Sequence, residues 1–418
     1  MNSSLKRQRR VVVTGLGPVT CIGTGRSTFW SNLTAGKSGI VANTLFDCTD
    51  LASRVVAPVT DFEPTDYMSA KVVKRTDRFT QLAIAATQLA MDDAGLPLED
   101  RSKRRGVYIG TAIGGVATMI DGCYTLRTQG LGRLSAFTVQ MMLPNISVGH
   151  VARLIGAQGF NEACHTACAA ASNSIGEAFL NIRRGLLDVA VAGGTEASLV
   201  TLIVGGLSSM GATSTRNDDP EGASRPFDRQ RDGFVPAEGA AILVLEEHDH
   251  AVARGAKIYA ELRGYGNTND AYDPYEPLPD GSGAADAIRG ALSDGGVSVN
   301  DIDYINSHGV GSISGDKSEV AAIKSVFGDR ATTIPVSATK SLTGHAIGAS
   351  GGIDAISTVL SLSTGTLPPS ANLDSPDDGF DLNFTPEHST TALVTNALSN
   401  TFAFAGQNVA LLFSRYDG

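Results

Sequence analysis

The chain repeats its own order of elements, and that constrains its fold more than any single motif. Ala90–Asp100 reads A-M-D-D-A-G-L-P-L-E-D and Ala291–Asp301 reads A-L-S-D-G-G-V-S-V-N-D. In both, a helical stretch ends at Asp-x-Gly and a turn leads into an apolar strand, 107–110 in the first and 302–306 in the second. A second pair of stretches also matches: a turn and helix around Cys168, and another within 332–358. Two copies of one α/β motif follow, dividing near residue 255. The strands 11–17, 189–194 and 241–246 are continuous apolar runs, as strands buried on both faces require. Residues 79–95 place Leu82, Ala85, Ala86 and Leu89 at helical spacing before a glycine stop. Strands alternating with helices give an α/β layered fold. The expected division is a basic tail over 1–10, a first half over 11–255 and a second half over 256–418. Residues 273–283 and 364–379 read as long loops.

Composition excludes several classes of function. The net charge of −10 argues against general nucleic-acid binding. No apolar run reaches membrane-spanning length. The basic start, 1–10, is followed by no signal-type apolar core and reads as a loose tail. Cys21, Cys48, Cys123, Cys164 and Cys168 are scattered and odd in number, which fits reduced thiols and a cytoplasmic location. Cys164, His165 and Cys168 lie close together, but no second Cys/His cluster completes a metal site.

In E-A-C-H-T-A-C-A-A-A, residues 162–171, β-formers and glycines over 154–160 lead in and a helix over 169–185 leads out. Cys168 is therefore expected at a strand-to-helix turn, where helix N–H groups lower a thiol's pKa. Small neighbours leave the sulfur approachable. This stretch alone leaves a structural and a nucleophilic cysteine equally open. In N-S-H-G-V-G-S-I-S-G-D-K-S-E, 306–319, His308 follows a strand and enters a glycine loop, and Asp316-x-x-Glu319 resembles a helix-start capping box. In S-A-T-K-S-L-T-G-H-A-I-G, 337–348, Lys340 and His345 lie on a glycine-interrupted turn. Two of the seven histidines thus stand at equivalent strand ends, where open α/β sheets collect ligands. Near the C-terminus, N-T-F-A-F-A-G-Q-N, 400–408, precedes the strand 409–413.

With these residues in view the chain resembles the elongating β-ketoacyl-ACP synthases, most closely the synthase II type and type II polyketide ketosynthases. The motifs are T-A-C-A (166–169), A-G-G-T-E-A (192–197), S-R-P-F-D-R-Q-R-D-G-F-V (224–235), H-G-x-x-x-x-x-G-D (308–316) and K-S-x-x-G-H-x-x-G-A-S-G (340–351). The resemblance implies a thiolase fold, duplicated β/α halves in a five-layered αβαβα arrangement, usually dimeric. It implies Cys168 as nucleophile, His308 and His345 as donors to an enolate oxygen, and Lys340 as electrostatic support with Glu319 as its acidic partner. Phe404 takes the gating position and shares an oxyanion hole with Cys168. Ile113 stands at the floor of the acyl pocket, and Lys71, Lys74 and Arg75 dock an acidic acyl carrier protein. No metal or organic cofactor is implied, because the carrier's phosphopantetheine arm brings the substrate. A homodimer and a heterodimer with a paralogous chain-length-factor-like subunit both fit. Val310 and Ser312 stand where the family usually has threonine, and Ala403, Ala405 and Gln407 depart from its G-F-G-G-T gate. These departures point to a specialised polyketide or unusual fatty-acid substrate. A degradative thiolase would need a second cysteine late in the chain, and a non-elongating partner subunit would lack the nucleophile.

Overall fold

The computed structural model describes residues 8–418. The first half contains β1 (Val11–Thr20), α1 (Arg78–Ala94), β2 (Arg105–Gly110), β3 (Asn161–Glu162), α2 (Ala170–Arg183), β4 (Val189–Glu196) and β5 (Gly239–Glu247). The second half contains β6 (Ala260–Asn269), α3 (Ser282–Gly295), β7 (Tyr304–Asn306), α4 (Ile313–Phe327), β8 (Pro335–Ser337), α5 (Ser350–Thr364), β9 (Asn396–Ala403) and β10 (Gln407–Arg415).

The strand orders are β3-β2-β4-β5-β1 and β8-β7-β9-β10-β6. These are one topology written twice. In each, the first three strands are parallel and the last two pairings antiparallel. The sheets join edge to edge where Val11–Val13 pair antiparallel with Ala260–Leu262. Glycines repeat the duplication at atomic scale. A Cβ on Gly15 or Gly17 would strike the carbonyl oxygens of Ala90 and Ala86. A Cβ on Gly264 or Gly266 would strike those of Ala291 and Ala287. Each outer helix thus lies directly on the backbone of its strand.

The layers follow from which faces are apolar. α1 begins at Asp77, whose carboxylate accepts from the Phe79 N–H, and stops at left-handed Gly95. It covers the outer face of the first sheet, and α3 covers that of the second. α2 and α5 fill the space between the sheets. α5, S-G-G-I-D-A-I-S-T-V-L-S-L-S-T, is buried from Ser350 to Leu362, as a helix packed on all sides must be. The result is the αβαβα stack.

Some local expectations fail. Residues 154–160 are not an extended lead-in: a helix runs Ile146–Ile155, stops at left-handed Gly156, and only Asn161–Glu162 is strand. Of the basic tail, residues 1–7 lie outside the described residues. Arg9 and Arg10 are held, not loose: Arg9 pairs with Asp188 at 2.9 Å and Arg10 with Glu261 at 2.8 Å. Within 400–408, Asn400–Ala403 belongs to β9 and Gln407 opens β10, so only 404–406 form the turn between them. Among the described residues, no helix is long and apolar enough to cross a membrane.

Candidate active site

The turn that carries Cys168 is strained, and so is its counterpart in the second half. Ala167 has φ +47, and a short 3₁₀ turn, Ala167–Ala169, carries Cys168 into α2. Ile347 has φ +40, and Ile347–Ala349 leads into α5 in the same way. Left-handed backbone costs a non-glycine residue roughly 1–2 kcal/mol, and such strain gathers at functional sites. Cys168 and Gly348 are therefore counterparts. Gly348 has no room for a side chain, since a Cβ would lie 2.5 Å from the Ala112 nitrogen. One half keeps the sulfur and the other contributes the groups around it.

Those groups come from the carboxyl ends of adjacent parallel strands β7 and β8. His345 Nε2 lies 3.0 Å from the Cys168 sulfur, and its Nδ1 lies 2.9 Å from Ser350 Oγ. The His308 ring meets that of His345 edge-on, with centroids 5.5 Å apart. His308 Nδ1 is buried with no hydrogen-bond partner among the described residues. Phe234 packs edge-on against His345, and Phe402 against His308. Burial in this apolar setting, with the charge of Lys340 nearby, drives the His308 pKa well below its ordinary value and that of His345 to about 3. Both imidazoles are neutral at pH 7.

Cys168 corrects an expectation. Burial pushes its thiol up to about 12. Lys340 and the backbone N–H groups of Phe404 and Cys168 pull the other way and lose. The helix terminus therefore does not yield a resting thiolate. Burial thus favours the thiol over the thiolate, and the sulfur lies 3.0 Å from an imidazole nitrogen. The same two N–H groups face the sulfur.

Lys340 is 1% exposed, and its ammonium lies 2.6 Å from Asp354 of α5. Its expected partner, Glu319, is engaged elsewhere. Glu319 accepts from the backbone N–H groups of His308 and Gly309, both at 2.8 Å. Asp316 accepts from those of Phe227, Val310 and Gly311. Neither carboxylate caps α4, which starts earlier, at Ile313. Both reach back and pin the loop that carries His308. Burial raises Glu319 to about 7, against its two N–H donors. The folded chain then holds a proton on Glu319 between about pH 4.5 and 7 that the unfolded chain releases. This contribution to stability is full below pH 4.5 and is lost as pH rises through 7. In paired urea titrations, Glu319→Gln is expected to shrink the stability difference between pH 5 and pH 8; an unchanged difference contradicts the assignment.

A cavity of about 650 Å³ reaches Cys168, His308 and His345 from the surface, with Val310, Phe402 and Phe404 on its wall. Phe404 is 36% exposed and begins the β9–β10 turn, in which Ala405 is left-handed at φ +63. The Ala405 N–H donates to the Pro274 carbonyl at 2.8 Å, and Asn269 Nδ2 donates to the Ala405 carbonyl at 2.7 Å. The turn is thus tied to the 270–278 loop. Ile113 does not line this cavity; its backbone N–H faces the buried Glu196 carboxylate. Lys71, Lys74 and Arg75 are all exposed, and the Arg75 guanidinium lies 4.5 Å from the Phe137 ring centroid. Among the described residues no cluster of three His, Cys, Asp or Glu is placed to hold a metal ion.

Asp354, Ser350, Phe234 and Phe402 were not singled out in the sequence. A lone aspartate in the apolar run 353–362 was the one available signal, because a buried carboxylate needs a partner.

Known proteins agree with this geometry. Residues 8–251 match the family model for the β-ketoacyl synthase N-terminal domain, and residues 259–374 match that for the C-terminal domain. The chain belongs to the β-ketoacyl synthase family. A 3-oxoacyl-[acyl-carrier-protein] synthase 2 of Synechocystis is 45% identical over 98% of this chain and 99% of its own. One from Staphylococcus aureus is 42% identical over 99% of this chain and 100% of its own. Among solved structures, the ishigamide ketosynthase/chain length factor superposes with TM-score 0.92 at 34% identity, covering 98% of this chain and 100% of that one. A type II PKS acyl-carrier protein complex with its ketosynthase bound to the hexaketide gives TM-score 0.91, also at 34% identity and the same coverage. This β-ketoacyl synthase is an acyltransferase.

Proposed function

We propose that this synthase lengthens an acyl chain held on Cys168 by decarboxylative condensation with malonyl-ACP. The Cys168–His345 contact of 3.0 Å inside a cavity open to the surface carries the reading. Cys168 sulfur attacks the thioester carbonyl of acyl-ACP as its proton passes to His345 Nε2. The phosphopantetheine sulfur leaves and takes that proton. Malonyl-ACP then enters, and its carboxylate departs as CO₂. The electron pair left behind forms an enolate, whose oxygen accepts from Nε2–H of His308 and of His345. Neutral imidazoles suit this task, since they donate without protonating the enolate. The enolate carbon attacks the Cys168 thioester. The N–H groups of Cys168 and Phe404 hold the tetrahedral oxygen, each donor contributing roughly 100- to 1,000-fold in rate. Collapse leaves a β-ketoacyl-ACP and expels the Cys168 sulfur as a thiolate, which takes a proton from water entering the cavity.

Lys340 keeps the site's potential positive, and Glu319 fixes the His308 loop. Phe404 gates entry. The carrier's arm brings both substrates, so the reaction calls on no other cofactor. The exposed cations Lys71, Lys74 and Arg75, in a chain of net charge −10, suit an acidic carrier surface. Pairing with a second copy and pairing with a chain-length-factor-like paralogue both fit this proposal. Val310 gives the arm methyl groups where a hydroxyl would bond it, which bears on substrate choice.

Intact mass spectrometry after incubation with acyl-ACP and malonyl-ACP tests the reading. The expected result is an acylated Cys168 and a carrier-bound product longer by one ketide unit. Failure to acylate Cys168 across several chain lengths would overturn it.

A further inference from the structure

His345 is asked to do opposite things in one cycle. In the first half-reaction its Nε2 takes a proton from the Cys168 thiol. In the second, Nε2 must already carry a proton and donate it to the enolate oxygen. A neutral imidazole has one N–H, so the two roles belong to two tautomers. The group opposite Nδ1 decides which is available. A backbone N–H there would permit only Nε2–H, and a carbonyl or carboxylate would favour Nδ1–H.

The group opposite Nδ1 is a hydroxyl. Ser350 Oγ lies 2.9 Å from Nδ1 at the first turn of α5 and is 2% exposed. No other hydrogen bond is formed by this hydroxyl among the described residues. It is therefore free to rotate between donating to Nδ1 and accepting from Nδ1–H. The rest of the ring is fixed by Phe234 and His308, which meet it edge-on and offer no competing acceptor at Nδ1.

We propose that Ser350 is a positioning residue that lets His345 occupy both tautomers, so that one imidazole serves as proton acceptor in acylation and as donor in decarboxylation. The inference rests on the proposed condensation chemistry. In acylation, Nδ1–H donates to Ser350 Oγ and Nε2 accepts the thiol proton. As the sulfur–carbon bond forms, that proton passes on to the departing pantetheine sulfur, and the imidazole ends neutral. Exchange with solvent water in the open cavity then interconverts the tautomers without net change in protons. In decarboxylation, Ser350 O–H donates to Nδ1 and Nε2–H faces the enolate oxygen.

Removing the hydroxyl separates the two roles. On its Nδ1 side, away from the cavity, the ring is buried, and there an unpaired N–H donor costs more than an unpaired ring acceptor, so Ser350→Ala settles His345 as Nε2–H. Acylation loses its proton acceptor and decarboxylation keeps its donor. The probes are octanoyl-ACP for acylation of Cys168, followed by intact mass, and malonyl-ACP for CO₂ release. Decarboxylation is measured in the Cys168→Ala background, where no acyl transfer competes. We expect Ser350→Ala to slow octanoyl transfer by about 100-fold or more, as loss of a general base does. Adding Ser350→Ala to Cys168→Ala should leave CO₂ release within about 2-fold. Ser350→Gly removes the same oxygen and should show the same split. Equal losses in both partial reactions would mean a structural role, and unchanged octanoyl transfer would mean no role; either overturns the proposal. Should Cys168→Ala itself still accept octanoyl, the reading of Cys168 fails instead, and the two failures are told apart.

Discussion

Cys168→Ala is expected to abolish condensation, with a loss of at least about 10⁴-fold in turnover, the scale on which removing a covalent nucleophile acts. The loss should be selective. His308 and His345 are held by their own contacts, so CO₂ release from malonyl-ACP should persist while no octanoyl group is retained. The side chain removed is small and lies beside its own helix terminus, so folding should survive. The measurement is a pair of assays, acyl retention by intact mass and CO₂ release, on one preparation. Joint loss of both would move Cys168 from chemistry to architecture. Retention of both would remove it from the mechanism.

Lys340→Met should have the largest effect on stability. Lys340 and Asp354 are each 1% exposed and lie 2.6 Å apart. Removing one partner of a buried pair strands the other charge at a cost of about 3–5 kcal/mol. Asp354 has Thr339 as a further partner at 3.1 Å, which does not neutralise it. Adding Asp354→Asn to Lys340→Met removes the stranded charge and should recover most of the loss. Urea titration of the two variants decides the matter. A cost below about 1 kcal/mol for Lys340→Met would show that the pair contributes little beyond its packing. The single variant should also acylate more slowly, because Lys340 is the largest of the influences opposing the upward push on the Cys168 thiol.

The duplicated order of strands was legible because continuous apolar runs and Asp-x-Gly stops are local signals, and both sheets bear it out. Cys168, His308, His345 and Lys340 were legible because glycine loops and short motifs mark strand ends, and the fold brings all four together. What escaped reading depends on distance through space. Whether Lys340 meets Glu319 or Asp354 is settled by the packing of α5 against two sheets, which no spacing of residues encodes. The Cys168 thiol was misjudged in sign for a similar reason. A helix terminus is visible in a sequence, whereas the depth at which the sulfur is buried is not. The hydroxyl beside His345 went unnoticed because serine in an A-S-G-G run reads as helix-start filler.

The short ladder joining Val11–Val13 to Ala260–Leu262 makes the two halves one continuous sheet. The sulfur belongs to one half and the imidazoles to the other, so the packing that joins the halves, this seam included, sets their spacing. The molecule then works as a jig with two clamps and no hinge between them. Timing then has to come from what enters, each visitor finding the bench already set.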